Sequence, residues 1–276
     1  MKSIAADLAG AAQMNEPATP PDAQRERRLT HETHKEKGMK PNRKLWQSVV
    51  AVIGLMVMAA ASAGASNQVV KPGQDFSGKS YNELASEWTN WLTAEPIATN
   101  PAFDPDGRFC DRNQHGNVWF LASTFGGVVD RTCEIPAGKA IFLSLGGVFV
   151  SFAPEFPAAD DPCSQMATDL EKVRCDVNND VPVAPAISFE VTLDGEPVED
   201  LFAFRAQSQP GGFTLRVPDP SFLTDLGLAP GDRSTAMADG YFLFLKPLSP
   251  GVHTLNLRMT GPGQSETGVN YTLIIQ

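Results

Sequence analysis

The chain has 276 residues, with 22 Lys+Arg against 32 Asp+Glu, a formal net charge of −10 and four cysteines. The first 65 residues hold 9 of the basic and 6 of the acidic side chains, which leaves 13 basic and 26 acidic for the remainder. A surface that acidic repels phosphate backbones and anionic headgroups, so nucleic acid is excluded as a partner, while cationic ligands, neutral sugars and divalent metals stay open.

Residues 1–38 are polar, carry Pro17, Pro20 and Pro21 and a charged run from Arg25 to Lys37, and show no apolar periodicity; they read as a disordered leader. Met39 opens a different pattern. Lys40, Arg43 and Lys44 form a basic n-region, Leu45 to Ala63 is nearly all apolar, and both Ala61-Ser62-Ala63 and Ala63-Gly64-Ala65 fit the A-x-A cleavage rule. Residues 39–65 are therefore expected to be a signal peptide, with Met39 as the true start and residues 1–38 as an untranslated upstream leader. The alternative is a cytoplasmic tail before an uncleaved anchor, for which the apolar run is near the lower limit of a bilayer span. No Cys closely follows the run and no twin Arg stands in its n-region, which disfavours lipid anchoring and the folded-protein export route. No second long apolar run exists, so no stable membrane insertion is expected after cleavage, and residues 66–276 are expected to be secreted or periplasmic.

The cysteines, Cys110, Cys133, Cys163 and Cys175, all follow the signal segment. An even number in an oxidising compartment implies two disulfides. Of the three connectivities, Cys110–Cys133 with Cys163–Cys175 is favoured because each closes a short local loop, worth about 3 kcal/mol in the chain-entropy account. Zinc is disfavoured, since no pair has C-x-x-C spacing and no His stands near the last two cysteines.

Along the mature chain, residues 66–79 look extended and irregular. Ser80-Tyr81-Asn82-Glu83 is a capping box. Tyr81, Leu84, Ala85, Trp88, Trp91 and Leu92 then form a single helical face, which Pro96 ends. A Pro- and Asp-rich loop runs from Asn100 to Gln114. Strands are expected over Val118–Ala122 and Lys139–Leu145, with Val148–Phe152 continuing the second past Gly146-Gly147. Residues 153–182 read as a long acidic loop, with room for a short helix over Met166–Val173. Strands follow over Ile187–Leu193, Leu201–Phe204, Phe213–Val217, Tyr241–Leu245, His253–Met259 and Asn270–Ile275, with hairpin or turn signals at Asp194-Gly195 and Pro250-Gly251. The expected fold is mainly β: one β-sandwich domain, Ig-like or jelly-roll-like, with one N-terminal amphipathic helix.

Ser80–Leu92 with its Trp pair, Asn100-Pro101 and Asp104 before Cys110, and Gln114-His115-Gly116-Asn117-Val118-Trp119-Phe120-Leu121 make a familiar combination. Arg131-Thr132-Cys133-Glu134-Ile135-Pro136-Ala137-Gly138-Lys139-Ala140, Asp239-Gly240-Tyr241 and Pro247-Leu248-Ser249-Pro250-Gly251-Val252-His253 complete it. Over residues 76–276 the chain resembles a group of exported bacterial proteins of unknown function. The resemblance implies export, a Cys110–Cys133 link and a single domain, and implies no catalytic residue. The C-terminal strands are also similar to Ig-like sandwiches, which is an analogy of fold alone.

No motif names a reaction. A triad would need His115 or His253, and no G-x-S-x-G elbow is present. Glu87 beside Trp88, and Asp104 and Asp106 in the following loop, are the carboxylates that could flank a sugar bond as acid and base. Asp104, Asp106 and Asp111, around Gly107, offer alternating oxygen ligands and a glycine turn, the pattern a calcium ion would use, but without the distal Glu of an EF-hand. The acidic segments at Asp160-Asp161 and Asp176–Asp180 are a second place for a cation. Trp88 and Trp119 could stack on a sugar, although an i, i+3 Trp pair beside a leucine stripe is the ordinary signature of a core. The reading is a secreted or periplasmic binding or surface-interaction module for an unknown small molecule or glycan. The first rival is a hydrolase or lyase of an extracellular polymer, with His115, Glu87 and Asp104 first to test. The second is a structural envelope protein.

Overall fold

The computed structural model describes residues 65–152, 162–261 and 265–276. The leader, the signal segment before Ala65 and the Asp160-Asp161 pair lie outside the described residues. After a helical turn at Ala65–Gln68, helix α1 spans Tyr81–Ala94. Ser80 caps it as expected: its hydroxyl accepts from Glu83 N while the Glu83 carboxylate accepts from Ser80 N. The strands are β1 (Val118–Leu121), β2 (Val128–Ile135), β3 (Ala140–Phe152), β4 (Ser188–Leu193), β5 (Glu196–Pro197), β6 (Arg205–Gln207), β7 (Phe213–Leu215), β8 (Arg233–Leu245), β9 (Gly251–Thr260) and β10 (Thr267–Ile275). They form two sheets, ordered β1-β3-β8-β6 with β7 also on β8, and β2-β10-β9-β4-β5. The β1–β3 and β10–β2 pairs are parallel and the rest antiparallel.

The first sheet is covered on both sides. Phe142, Phe242 and Phe244 meet Tyr81 and Trp88 of α1 on one face. Ile141, Leu143, Leu243 and Leu245 alternate onto the other face, toward the second sheet. That two-sided burial is why Ile141–Leu145 and Tyr241–Leu245 are near-continuous apolar runs. The second sheet is half-exposed and alternates: Leu255 and Leu257 of β9, and Val269, Tyr271, Leu273 and Ile275 of β10, point inward.

Both expected disulfides form, Cys110–Cys133 with Cα atoms 6.0 Å apart and Cys163–Cys175 at 5.5 Å. Cys110–Cys133 ties the loop after α1 to β2. Beside it lies Arg131, fully buried. Its guanidinium donates from Nε to Asp104 O (2.8 Å), from Nη1 to Ala122 O (3.0 Å) and Tyr271 Oη (3.2 Å), and from Nη2 to Ala102 O (3.2 Å). Burying a charge is costly unless hydrogen bonds replace its water, and here carbonyls do so on every side.

Four elements differ from expectation. β2 carries no readable apolar stripe, because one of its three buried positions, ahead of Cys133 and Ile135, is Arg131. Leu201–Phe204 is a 3-10 turn, and the strand is the polar Arg205–Gln207 that follows. Within the expected acidic loop, Asp169–Asp180 is a 12-residue helix, α2, rather than a short one over Met166–Val173. Thr168 and Glu171 make its capping box, and its apolar stripe is only Leu170, Val173 and Val177, packed on Met237 of β8. β8 itself begins eight residues earlier than its aromatic run.

All three tyrosines are held as neutral phenols. Burial pushes Tyr81, Tyr271 and Tyr241 above the usual phenol range, with Arg131 working against it at Tyr271. The unfolded chain ionises first, so stability is intact below about pH 10 and falls as pH rises further. In an alkaline titration, tyrosinate absorbance should rise together with loss of β-sheet circular dichroism. Ionisation of all three phenols in a chain that stays folded would contradict this burial.

Candidate functional site

The residues singled out as an acid–base set do not meet. Glu87 is exposed on α1 and pairs with Lys79, raising the lysine above its usual range mainly through that hydrogen bond. Asp104 is 1% exposed, and its carboxylate is filled by backbone amides: Oδ1 accepts from Asp106 N (3.1 Å) and Gly107 N (2.9 Å), and Oδ2 from Phe109 N (2.7 Å). His115 is exposed in the loop before β1. Asp106 is exposed and bonded to Arg108, whose guanidinium holds its carboxyl well below the usual carboxylate range. Asp111 is exposed on the same loop. Asp104, Asp106 and Asp111 therefore form no common shell, and among the described residues no three His, Cys, Asp or Glu side chains are gathered as a metal site.

Trp88 and Trp119 are core side chains. Trp88 is 4% and Trp119 8% exposed, and Trp88 Nε1 donates to Leu121 O at 2.9 Å, so neither offers a ring face to a ligand. Trp88→Ala should cost about 3–5 kcal/mol, as large-to-small changes in a packed core do.

His253 joins Asp194 and Ser249 in a second polar group. Its Nδ1 lies 2.7 Å from Asp194 Oδ2, and its Nε2 lies 3.3 Å from Ser249 Oγ but 2.9 Å from Ser249 O. Asp194 Oδ2 and Ser249 O are both acceptors, and Nε2 lies closer to that carbonyl than to the Ser249 hydroxyl. Asp194 Oδ1 also accepts from Thr254 N. The group clamps the β4–β5 hairpin to the turn before β9.

Polar side chains do converge elsewhere, on the inner face of the first sheet. Along that face β8 presents Met237, Asp239, Tyr241, Leu243 and Leu245. Met237 is covered by α2, and Tyr241 meets Phe189 of the second sheet at 4.9 Å between ring centres. Asp239 falls in the seam between those two covers. There an open cleft of about 340 Å³ is lined by Asn178 of α2, Arg205 and Gln207 of β6, and Asp239. Arg205 donates to both Asp239 oxygens, from Nε at 3.0 Å and Nη2 at 2.8 Å. Gln207 Nε2 is shared between Asn178 Oδ1 and Asp239 Oδ2, each at 3.1 Å.

The backbone opposite is shaped to match. β3 carries register shifts between Ser144 and Gly146 and between Gly146 and Phe149, directly across from Asp239 and Tyr241. Bulges of this kind re-aim side chains and recur beside functional sites. Gly240 sits against the bulged strand so closely that a Cβ there would stand 2.7 Å from Val148 Cα. In the sequence, Asp239-Gly240-Tyr241 and Gly146-Gly147 were the visible traces. Arg205, Gln207 and Asn178 carried no signal, because only the fold brings them together.

No protein-family model matches the chain, and no curated protein does. Among solved structures the chain is similar to the cysteine protease inhibitor EhICP2 from Entamoeba histolytica, at 13% identity over 58% of this chain and 96% of that one, with a TM-score of 0.21. It is also similar to PbICP-C in its complex with falcipain-2, at 9% identity over 58% of this chain and all of that one, with a TM-score of 0.24. Likeness at these scores assigns no activity.

The Asp239 carboxylate is 2% exposed and the Arg205 side chain 31%. Arg205→Ala should therefore cost about 3 kcal/mol, the low end for breaking a buried pair, because a carboxylate is left stranded. Adding Asp239→Asn to that variant should recover part of the loss in urea unfolding. A double variant no more stable than Arg205→Ala would show that the carboxylate is not what suffers.

Proposed function

We propose that residues 66–276 form an exported, non-enzymatic binding module that takes its ligand at the seam between α2 and the sandwich. One observation carries this reading: three separate elements deliver Asn178, Arg205, Gln207 and Asp239 to a single open cleft, where a bidentate ion pair holds them in a fixed arrangement. Polar groups held in place by one another before a ligand arrives lower the ordering cost of binding. The cleft holds no hydroxyl or thiol nucleophile and no histidine, and Glu87, Asp104 and His115 stand apart, which favours binding over hydrolysis or lysis.

Export is supported by the two disulfides, which persist in oxidising compartments, by the signal-like segment at residues 39–65 and by the resemblance to exported bacterial proteins. Among the described residues no helix is long and apolar enough to cross a membrane. The disulfides and the signal-like segment support a secreted or periplasmic location.

The test is a thermal-unfolding screen of the oxidised protein against oligosaccharides, short peptides and divalent cations. A ligand at about 100 times its Kd adds about 2.7 kcal/mol of stability. Asn178 is exposed and outside the ion pair, so Asn178→Ala should change stability by no more than about 0.5 kcal/mol. In the same variant, the shift given by the true ligand should be diminished. A screen with no shift, or a shift that Asn178→Ala leaves intact, would remove the seam as the site; the first result would favour the structural envelope reading.

A further inference from the structure

The seam is polar without being charged. Arg205 and Asp239 neutralise each other through two hydrogen bonds, so the cleft offers no net charge to an ion. What it leaves unused are neutral-ligand groups. Among the described residues, Asn178 Nδ2, Gln207 Oε1 and Arg205 Nη1 have no protein hydrogen-bond partner, while their neighbouring atoms are fixed by the Asn178–Gln207–Asp239–Arg205 chain. One carbonyl acceptor and two sets of N–H donors suit a ligand whose adjacent groups both donate and accept. Vicinal hydroxyls do so.

The rim supplies the other half. Phe202 is 38% exposed and packs edge-on against Tyr241, ring centres 5.6 Å apart. Tyr241 is the cross-strand partner of Arg205, and its hydroxyl donates to Pro182 O. Phe202 thus stands one tyrosine away from Arg205, which lines the polar cleft. Apolar side chains scattered singly need no explanation, but an exposed aromatic ring held by two others beside a cleft does. The C–H face of a pyranose ring covers such an aromatic, while its hydroxyls reach the amides.

We infer that the ligand of the seam is a neutral glycan, one pyranose ring lying on Phe202 and its hydroxyls bonded by Asn178, Gln207 and Arg205. This rests on the seam being the binding site. An acidic glycan is disfavoured, since residues 66–276 hold 26 acidic against 13 basic side chains and the cleft has no unpaired cation for a carboxylate.

The experiment is calorimetric titration of the oxidised protein with neutral hexasaccharides of glucose, mannose and N-acetylglucosamine, alongside a uronate hexasaccharide and mixed hexapeptides. Phe202→Ala should weaken the neutral sugar by about tenfold, the scale of one aromatic contact, and Phe202→Tyr should restore it. Asn178→Ala should weaken it independently, in a protein that melts as the parent does. Neutral-sugar binding untouched by Phe202→Ala and Asn178→Ala would overturn the inference. If only uronate or peptide binds, and Asn178→Ala abolishes it, the glycan class falls while the seam survives. If no probe binds, both fall.

Discussion

The buried guanidinium of Arg131 is the constraint on which the arrangement rests. A charge there must find carbonyls, and the ones it finds belong to the loop after α1, to the end of β1 and, through Tyr271, to β10. It therefore fixes the loop from Ala102 to Phe109, whose turn is wrapped around the Asp104 carboxylate, against the parallel β10–β2 pair. The Cys110–Cys133 disulfide closes the same region covalently. Such an assembly resists substitution piece by piece, because removing any partner strands a buried polar group.

From that anchor the rest is a matter of coverage. α1 seals one face of the first sheet with Tyr81, Trp88 and Trp91. The second sheet seals most of the other. At the far end of β8 its place is taken by α2, a helix with a thin apolar stripe held by Cys163–Cys175. Two covers of different origin do not join flush, and Asp239 lies where they meet. A buried carboxylate at a seam demands a cation, which β6 provides in Arg205. The cleft is thus a product of the architecture as much as of its lining residues.

Apolar pattern was legible wherever one kind of burial held along a whole element. α1, β4, β9 and β10 show it, each with a clean face of period 3.6 or 2. It failed where a polar side chain took a buried position, as Arg131 does in β2 and Asp239 does in β8. α2 was hidden by its Asp- and Asn-rich turns, although Thr168-Asp169-Leu170-Glu171 is a readable capping box. The site residues proposed from composition, Asp104, Asp106, Asp111, Glu87 and His115, were gathered by nearness in sequence. In the fold their side chains have local tasks or face solvent.

The sequence by itself determined the class and the local devices: a mainly β chain, its capped N-terminal helix, its hairpin turn at Asp194-Gly195 and two short-range disulfides. These depend on interactions between residues close along the chain, which spacing and residue type reveal. Only the tertiary structure decided that Asn178, Arg205, Gln207 and Asp239 share a cleft, and that Phe202 stands beside it. Those residues come from separate elements, and no periodicity encodes which loops a sandwich brings together; that follows from how the second sheet and α2 divide the covering of one face of the first sheet.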